Sequence, residues 1–278
     1  MMGGFTLLED RKRKWGAVSE DKFEKREGKN WAYLAVADGV SRDPMNNYPD
    51  LNTEKGKKIM IKNYPKPSIA KKAAEIAVKS GDLYSANKKI KKFNIVVIRD
   101  PDWLKNDLAG CTAAITHVKG DILEYQFIAS CGVAVVDVFG VVKFRTEDEY
   151  WKTDESRWAL VLKAEFVQGF LDSIGKRHKW WSHPEGRLIM RRMFRNKPKQ
   201  KFSFGVLTGE DEAENYIRKG RIKLREGDVV LVYTDGLTNA LFSKTGLELI
   251  AKRDFSGLKE YCKSMVNSEG TVVYWIRK

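Results

Sequence analysis

Two aspartates, Asp38 and Asp235, each end an apolar run and are each followed by glycine: WAYLAVADG over 31–39 and VVLVYTDG over 229–236. A carboxylate at the end of a buried strand is held rigidly at a sheet edge, and a glycine after it lets the backbone turn away at once. Further acids flank other strand candidates: Glu20 and Asp21 in Ser19-Glu20-Asp21, and Glu269 two residues before Thr271. Any one of these acids reads singly as a turn residue or helix cap. Taken jointly, acids beside strand ends can converge at one edge of a β core. Packed carboxylates repel one another strongly, so such a cluster is stable only when cations neutralise it. Oxygen donors alone point to hard divalent ions.

The elements that must position these acids are strands and helices in separate blocks. Residues 31–37 read as a strand, and 68–80 as a helix with Ser68 as N-cap, Ala73, Ile76 and Ala77 at helical spacing, and Gly81 closing it. A second helix is expected over about 83–93. From Cys111 onward TAAITHV, ILEYQFIAS, VAVVDVF and VVKF form short β runs joined by tight turns, the pattern of an antiparallel meander. Helical periodicity returns over 158–174. A basic, Trp-rich segment follows, so that 150–202 reads as an insertion or flap. A strand over 229–234, two short helices over 246–265 and a last strand, TVVYWI, complete the chain. Blocks of strands and helices argue for an α+β fold rather than a doubly wound parallel sheet. No linker-like stretch divides residues 1–278, which read as one domain.

The chain has 278 residues, 42% of them apolar and 32% charged, with a formal net charge of +14. That composition is globular, and no apolar stretch approaches the length that spans a bilayer. Cys111, Cys131 and Cys262 are widely spaced, with no CxxC pair, which argues against a zinc site or disulfide framework and for a reducing, cytoplasmic setting. His117 reads as structural, and His178 and His183 lack the spacing of zinc ligands. Basic residues concentrate at 54–66, 88–93 and 176–201. They read either as a surface that attracts acidic, phosphorylated partners or as a solvated lysine-rich exterior. Trp180 and Trp181 could stack on bases, but no nucleic-acid module's motif is present and nucleic acid is not an expected partner.

In order along the chain, these residues resemble the metal-dependent serine/threonine phosphatases of the PP2C type, in the manner of a divergent prokaryotic member. Ser19-Glu20-Asp21 is similar to that family's N-terminal acidic motif, and Val36-Ala37-Asp38-Gly39-Val40 to its hydrophobic-Ala-Asp-Gly motif. Ala109-Gly110-Cys111-Thr112 resembles the segment that opens its meander. Glu226-Gly227-Asp228 leading into Thr234-Asp235-Gly236-Leu237 resembles its Gly-Asp-strand-Asp-Gly-Leu stretch, and Glu269-Gly270-Thr271-Val272-Val273 its terminal motif. The resemblance implies a four-layer α-β-β-α sandwich of two antiparallel sheets flanked by helices, with two Mn²⁺ or Mg²⁺ ions at one end. By position, Asp38 would bridge both ions with the Gly39 carbonyl on one. Asp235 and Glu269 would hold one ion, and Glu20 and Asp21 would lie nearer the other. The implied reaction is hydrolysis of phosphoserine or phosphothreonine by a metal-bridging hydroxide, with Asp38 and Asp235 essential. It needs no protein nucleophile, in keeping with the absence of a Cys-x5-Arg loop or nucleophile elbow. The implied partners are phosphorylated proteins and a cognate Ser/Thr kinase.

Four positions depart from the family pattern. Glu269 replaces the usual terminal Asp, reaching one methylene further. Cys131 stands where an Asp serves an additional metal in many members, so no third metal site is expected. Gly16 takes the place of the phosphate-binding arginine of animal members, and Val40 that of their histidine. Arg42 and the basic stretch 191–201 are candidate substitutes for phosphate contact. Two alternatives stand beside the phosphatase: a catalytically impaired phosphoprotein-binding module, and a basic scaffold for nucleic acid.

Overall fold

The computed structural model describes residues 1–10, 19–40, 69–97, 108–163, 192–266 and 268–278. Two five-stranded antiparallel sheets dominate. The first runs β1 (Met2–Leu8), β10 (Glu269–Ile276), β9 (Val229–Tyr233), β6 (Gly132–Val136), β7 (Val142–Arg145). The second runs β2 (Lys22–Gly28), β3 (Trp31–Gly39), β4 (Cys111–Lys119), β5 (Ile122–Ile128), β8 (Arg218–Lys223).

The central strands are apolar throughout because both of their faces are covered, and period-two alternation separates the two faces. On β3, Ala32, Leu34 and Val36 face the other sheet, while Tyr33, Ala35 and Ala37 face helices. On β9, Val230 and Val232 join the inter-sheet core while Val229, Leu231 and Tyr233 face outward. Helices α1 (Ile69–Lys79) and α2 (Leu83–Val97) cover the second sheet. The first sheet is covered by α4 (Thr238–Leu241), α5 (Lys244–Ala251) and α6 (Phe255–Met265). Helix α3 (Asp154–Lys163) lies between them in the chain, in the 150–202 excursion. The layers are therefore α-β-β-α, as the family resemblance implies, with three cores stacked between them.

Alanines make α1 a close-packing helix: Ala70, Ala73, Ala74 and Ala77 are fully buried. Helix α2 is longer than its periodicity suggests, and it begins where Asp82 Oδ1 accepts the Ser85 N–H (2.8 Å) and Gln126 Oε1 accepts the Leu83 N–H (2.8 Å). Three strands carry no apolar alternation strong enough to announce them. β2 reads KFEKREG, β8 reads RKGRIK, and β1 starts on two glycines after Met2; each is a sheet edge. Edge strands present one side to solvent and commonly carry charge that discourages pairing with other chains. Among the described residues no helix is long and apolar enough to cross a membrane. The Ser68 cap, Arg42, His178, His183, Trp180 and Trp181 lie outside the described residues.

Candidate metal centre

The acids come from both sheets. Asp38 is the penultimate residue of β3 and Asp21 immediately precedes β2, so both belong to the second sheet. Glu269 opens β10 and Asp235 follows β9 by two residues, so both belong to the first. One oxygen each of Asp21, Asp38 and Glu269 lie within 4.8 Å of one another. Asp21 is buried and the other two half-buried, so the triad opens to solvent on one side.

Glycine beside each aspartate has a different cause from the one its sequence context suggests. Neither Gly39 nor Gly236 adopts positive φ. A Cβ on Gly236 would overlap the Glu269 carbonyl, and a Cβ on Gly39 would meet Glu20 Cβ at 2.9 Å and the Ala70 backbone at 3.0 Å. Close approach of neighbouring backbone, rather than a turn, requires these glycines.

The extra methylene of Glu269 is used. Its Oε2 accepts the Ser19 hydroxyl (2.6 Å), the Glu20 N–H (2.9 Å) and, at 3.5 Å, the Asp21 N–H. Glu20 is itself buried under Gly39. Asp21 Oδ2 accepts the Thr234 hydroxyl (2.8 Å), and Thr234 Oγ1 in turn accepts the Thr271 N–H (2.8 Å). The Thr271 hydroxyl meets that of Thr6 at 2.8 Å. These neutral threonines tie β1, β9 and β10 to the acidic strand end. Asp235 stands beside the triad rather than in it, and its Oδ2 accepts the Trp151 indole N–H at 2.8 Å.

Electrostatics registers the crowding. Burial first, and the Glu269 charge second, push the Asp21 carboxyl up to about 7. Burial, then Asp21, Asp235 and Glu269, push Asp38 well above the ordinary carboxylate range. Asp235 is also raised, by burial first, against the opposing effect of the Trp151 N–H. Asp21 Oδ1 is buried with no hydrogen-bond donor among the described residues. Three converging acid oxygens, with a donorless buried oxygen on Asp21, fit a hard divalent cation, which would supply the missing positive charge. Cys131 lies beneath this cluster with its Sγ 3.3 Å from Thr112 Oγ1, and burial followed by the Asp38 charge keeps it a neutral thiol.

Sequence reasoning reached Glu20, Asp21, Asp38, Gly39, Asp235 and Glu269, and the structure brings all of them to one end of the sandwich. It missed Trp151, whose neutral donor has no diagnostic spacing, and met Thr234 and Thr271 only as members of the motifs, without their roles as donors. Within the basic stretch 191–201, Arg195 turns inward, pairs with Glu210 at 3.0 Å and is buried. His117 bonds the Gly81 carbonyl through Nε2 (2.7 Å), a structural role.

No protein-family model and no curated protein matches the sequence. Solved structures match along the whole chain. The photosystem II phosphatase PBCP is 13% identical with a TM-score of 0.56, covering 100% of this chain and 98% of that one. The S. agalactiae serine/threonine phosphatase is 13% identical with a TM-score of 0.54, covering 100% and 99%. The catalytic domain of the serine/threonine protein phosphatase PstP, solved with two manganese ions, is 18% identical with a TM-score of 0.52, covering 100% and 98%. These neighbours are PP2C-type phosphatases, and the chain has their fold.

Proposed function

We propose that this protein is a metal-dependent phosphoprotein phosphatase that hydrolyses phosphoserine and phosphothreonine. The observation that carries the reading is the Asp21–Asp38–Glu269 triad, three acid oxygens within 4.8 Å contributed by both sheets. Without a cation such an arrangement is held against its own repulsion. Asp38, Asp21, Glu269 and Asp235, with the Gly39 carbonyl and Glu20, would hold two Mn²⁺ or Mg²⁺ ions. Bound divalent ions acidify water near neutral pH and neutralise phosphoryl oxygens. The chain's own residues do the rest. Glu269 fixes the Ser19–Asp21 turn, so the second-sheet acids keep their place relative to the first sheet. Thr234 holds one Asp21 oxygen and leaves the other free of donors. No side-chain nucleophile is required, and the buried thiols of Cys111 and Cys131, both held protonated, are unsuited to be one. The substrates are phosphorylated proteins, met by a single cytoplasmic domain.

Initial rates on an aryl phosphate and on a phosphothreonine peptide, with Mn²⁺, with Mg²⁺ and with chelator, test the reading. Metal-stimulated turnover that chelator removes is expected, and its absence in pure protein overturns it. A second reading, a phosphoprotein-binding module without catalysis, draws on the Glu269 oxygen already engaged by Ser19 and Glu20. It predicts peptide binding without turnover in the same assay.

A further inference from the structure

We infer that Trp151 is a positioning residue for the metal centre, acting through Asp235; the inference rests on the metal-dependent reading above. The indole N–H donates to Asp235 Oδ2 at 2.8 Å, although Trp151 is 54% exposed. An exposed tryptophan held on a carboxylate needs a support that fixes it, and one is present. Asp148 Oδ1 accepts the backbone N–H groups of both Tyr150 and Trp151 at 2.9 Å. The Tyr150 ring meets Trp151 edge-on at 5.0 Å and Phe204 edge-on at 4.9 Å. The buried Arg157 guanidinium lies 4.3 Å over the Tyr150 ring and donates to the Tyr150 carbonyl and to Thr153 Oγ1, each at 2.7 Å. The short helical turn Trp151–Thr153 is thereby braced from below by an arginine.

Asp235 itself is fixed from the other side, where Gly236 packs directly on the Glu269 backbone. Its carboxylate thus has a rigid base and one oxygen pinned by a rigid donor. Carboxylates that ligate metals are commonly oriented by hydrogen bonds from outside the ligand sphere, and losing such a bond weakens metal binding about 10–100-fold. An indole suits this role at an acidic centre because its N–H is a donor only, carries no charge and does not titrate. A lysine or arginine in its place would neutralise Asp235 and compete with the cation.

The experiment compares Mn²⁺ binding, by calorimetry and by electron paramagnetic resonance, in wild type and Trp151→Phe, with melting temperatures in chelator alongside. The variant is expected to melt like wild type without metal and to bind Mn²⁺ about 10–100-fold more weakly. Equal affinity in the two proteins overturns the role of Trp151. Wild type that binds no Mn²⁺ overturns the metal-dependent reading itself. Should Trp151→Phe fail to fold, the benzothienyl analogue of tryptophan placed at 151 keeps the ring shape and removes only the donor. The same loss of affinity supports the inference, and wild-type affinity sinks it.

Discussion

Glu269 couples two tasks that a shorter acid would separate. One of its oxygens closes the Ser19–Asp21 turn while the side chain also reaches the acid triad. Glu269→Asp is therefore expected to cost about 1–3 kcal/mol in the metal-free protein, because the Glu20 N–H loses its acceptor. Chemical denaturation in chelator measures this, and a variant as stable as wild type shows that the turn does not depend on Oε2. Asp38→Asn makes the opposite kind of change. It removes a charge that burial and three neighbouring acids oppose, so the metal-free protein should melt higher while Mn²⁺ binding and turnover disappear. Retention of most of the turnover would remove Asp38 from the centre. The sign of the pH dependence follows from Asp21. Its folded-state value of about 7 stands above the ordinary 3.8, so between these values the folded chain holds a proton that the unfolded chain has released. Stability of the metal-free protein is accordingly full below about pH 4 as far as this group is concerned, and falls as pH rises toward 7. Saturating Mn²⁺ should flatten that slope, since the cation replaces the proton. Melting curves across this range with and without Mn²⁺ decide the point. Asp38, Asp235 and Glu269 were legible in the sequence because each adjoins an apolar strand, whereas Glu20 and Asp21 precede the charged edge strand β2, which hides that signal. The donors to these acids were not legible, since a threonine or tryptophan N–H or O–H leaves no pattern when it arrives from a hundred residues away.

Buried strands and helices were legible and edges were not, for one physical reason. β3, β4, β6 and β9 are enclosed on both faces, and continuous apolar runs declare them. β1, β2 and β8 answer to solvent on one side, and glycine or charge hides their β character. Helix α2 shows how polar residues can set an element's place. Asn94 is fully buried, donates to the carbonyls of Ala109 and Thr208 at 2.8 Å each, and accepts the Ala109 N–H at 3.0 Å. Asn94→Leu strands two carbonyls and one N–H in the core, and an unfolding free energy lower by about 3 kcal/mol or more is expected. A loss below about 1 kcal/mol would mean that water satisfies those groups. Element packing also governs Gly236. Gly236→Ala pushes the Asp235 turn off β10 and is expected to cost about 1–3 kcal/mol, together with weakened Mn²⁺ binding, because the Asp235 carboxylate moves with its backbone.

At the scale of the whole molecule, the two sheets pack face to face through the shared core, and the acid triad draws on both sheets at one end. The formal net charge of +14 would favour the approach of the anionic substrates proposed above. Raising salt should therefore raise KM for a phosphopeptide more than it changes kcat, and a salt-independent KM would remove the surface charge from substrate capture. The hydrogen bonds from Ser19 and the Glu20 N–H to Glu269 join residues 250 and 249 positions apart along the chain. Contacts of such separation close late, because the intervening chain must be ordered before they become favourable. The centre consequently needs both sheets in place before it can form. In refolding experiments Mn²⁺ capture should track the slowest phase, and no partially folded or prematurely ended chain should be able to acquire the ion. Competence to react would then arrive all at once, as the last event of folding.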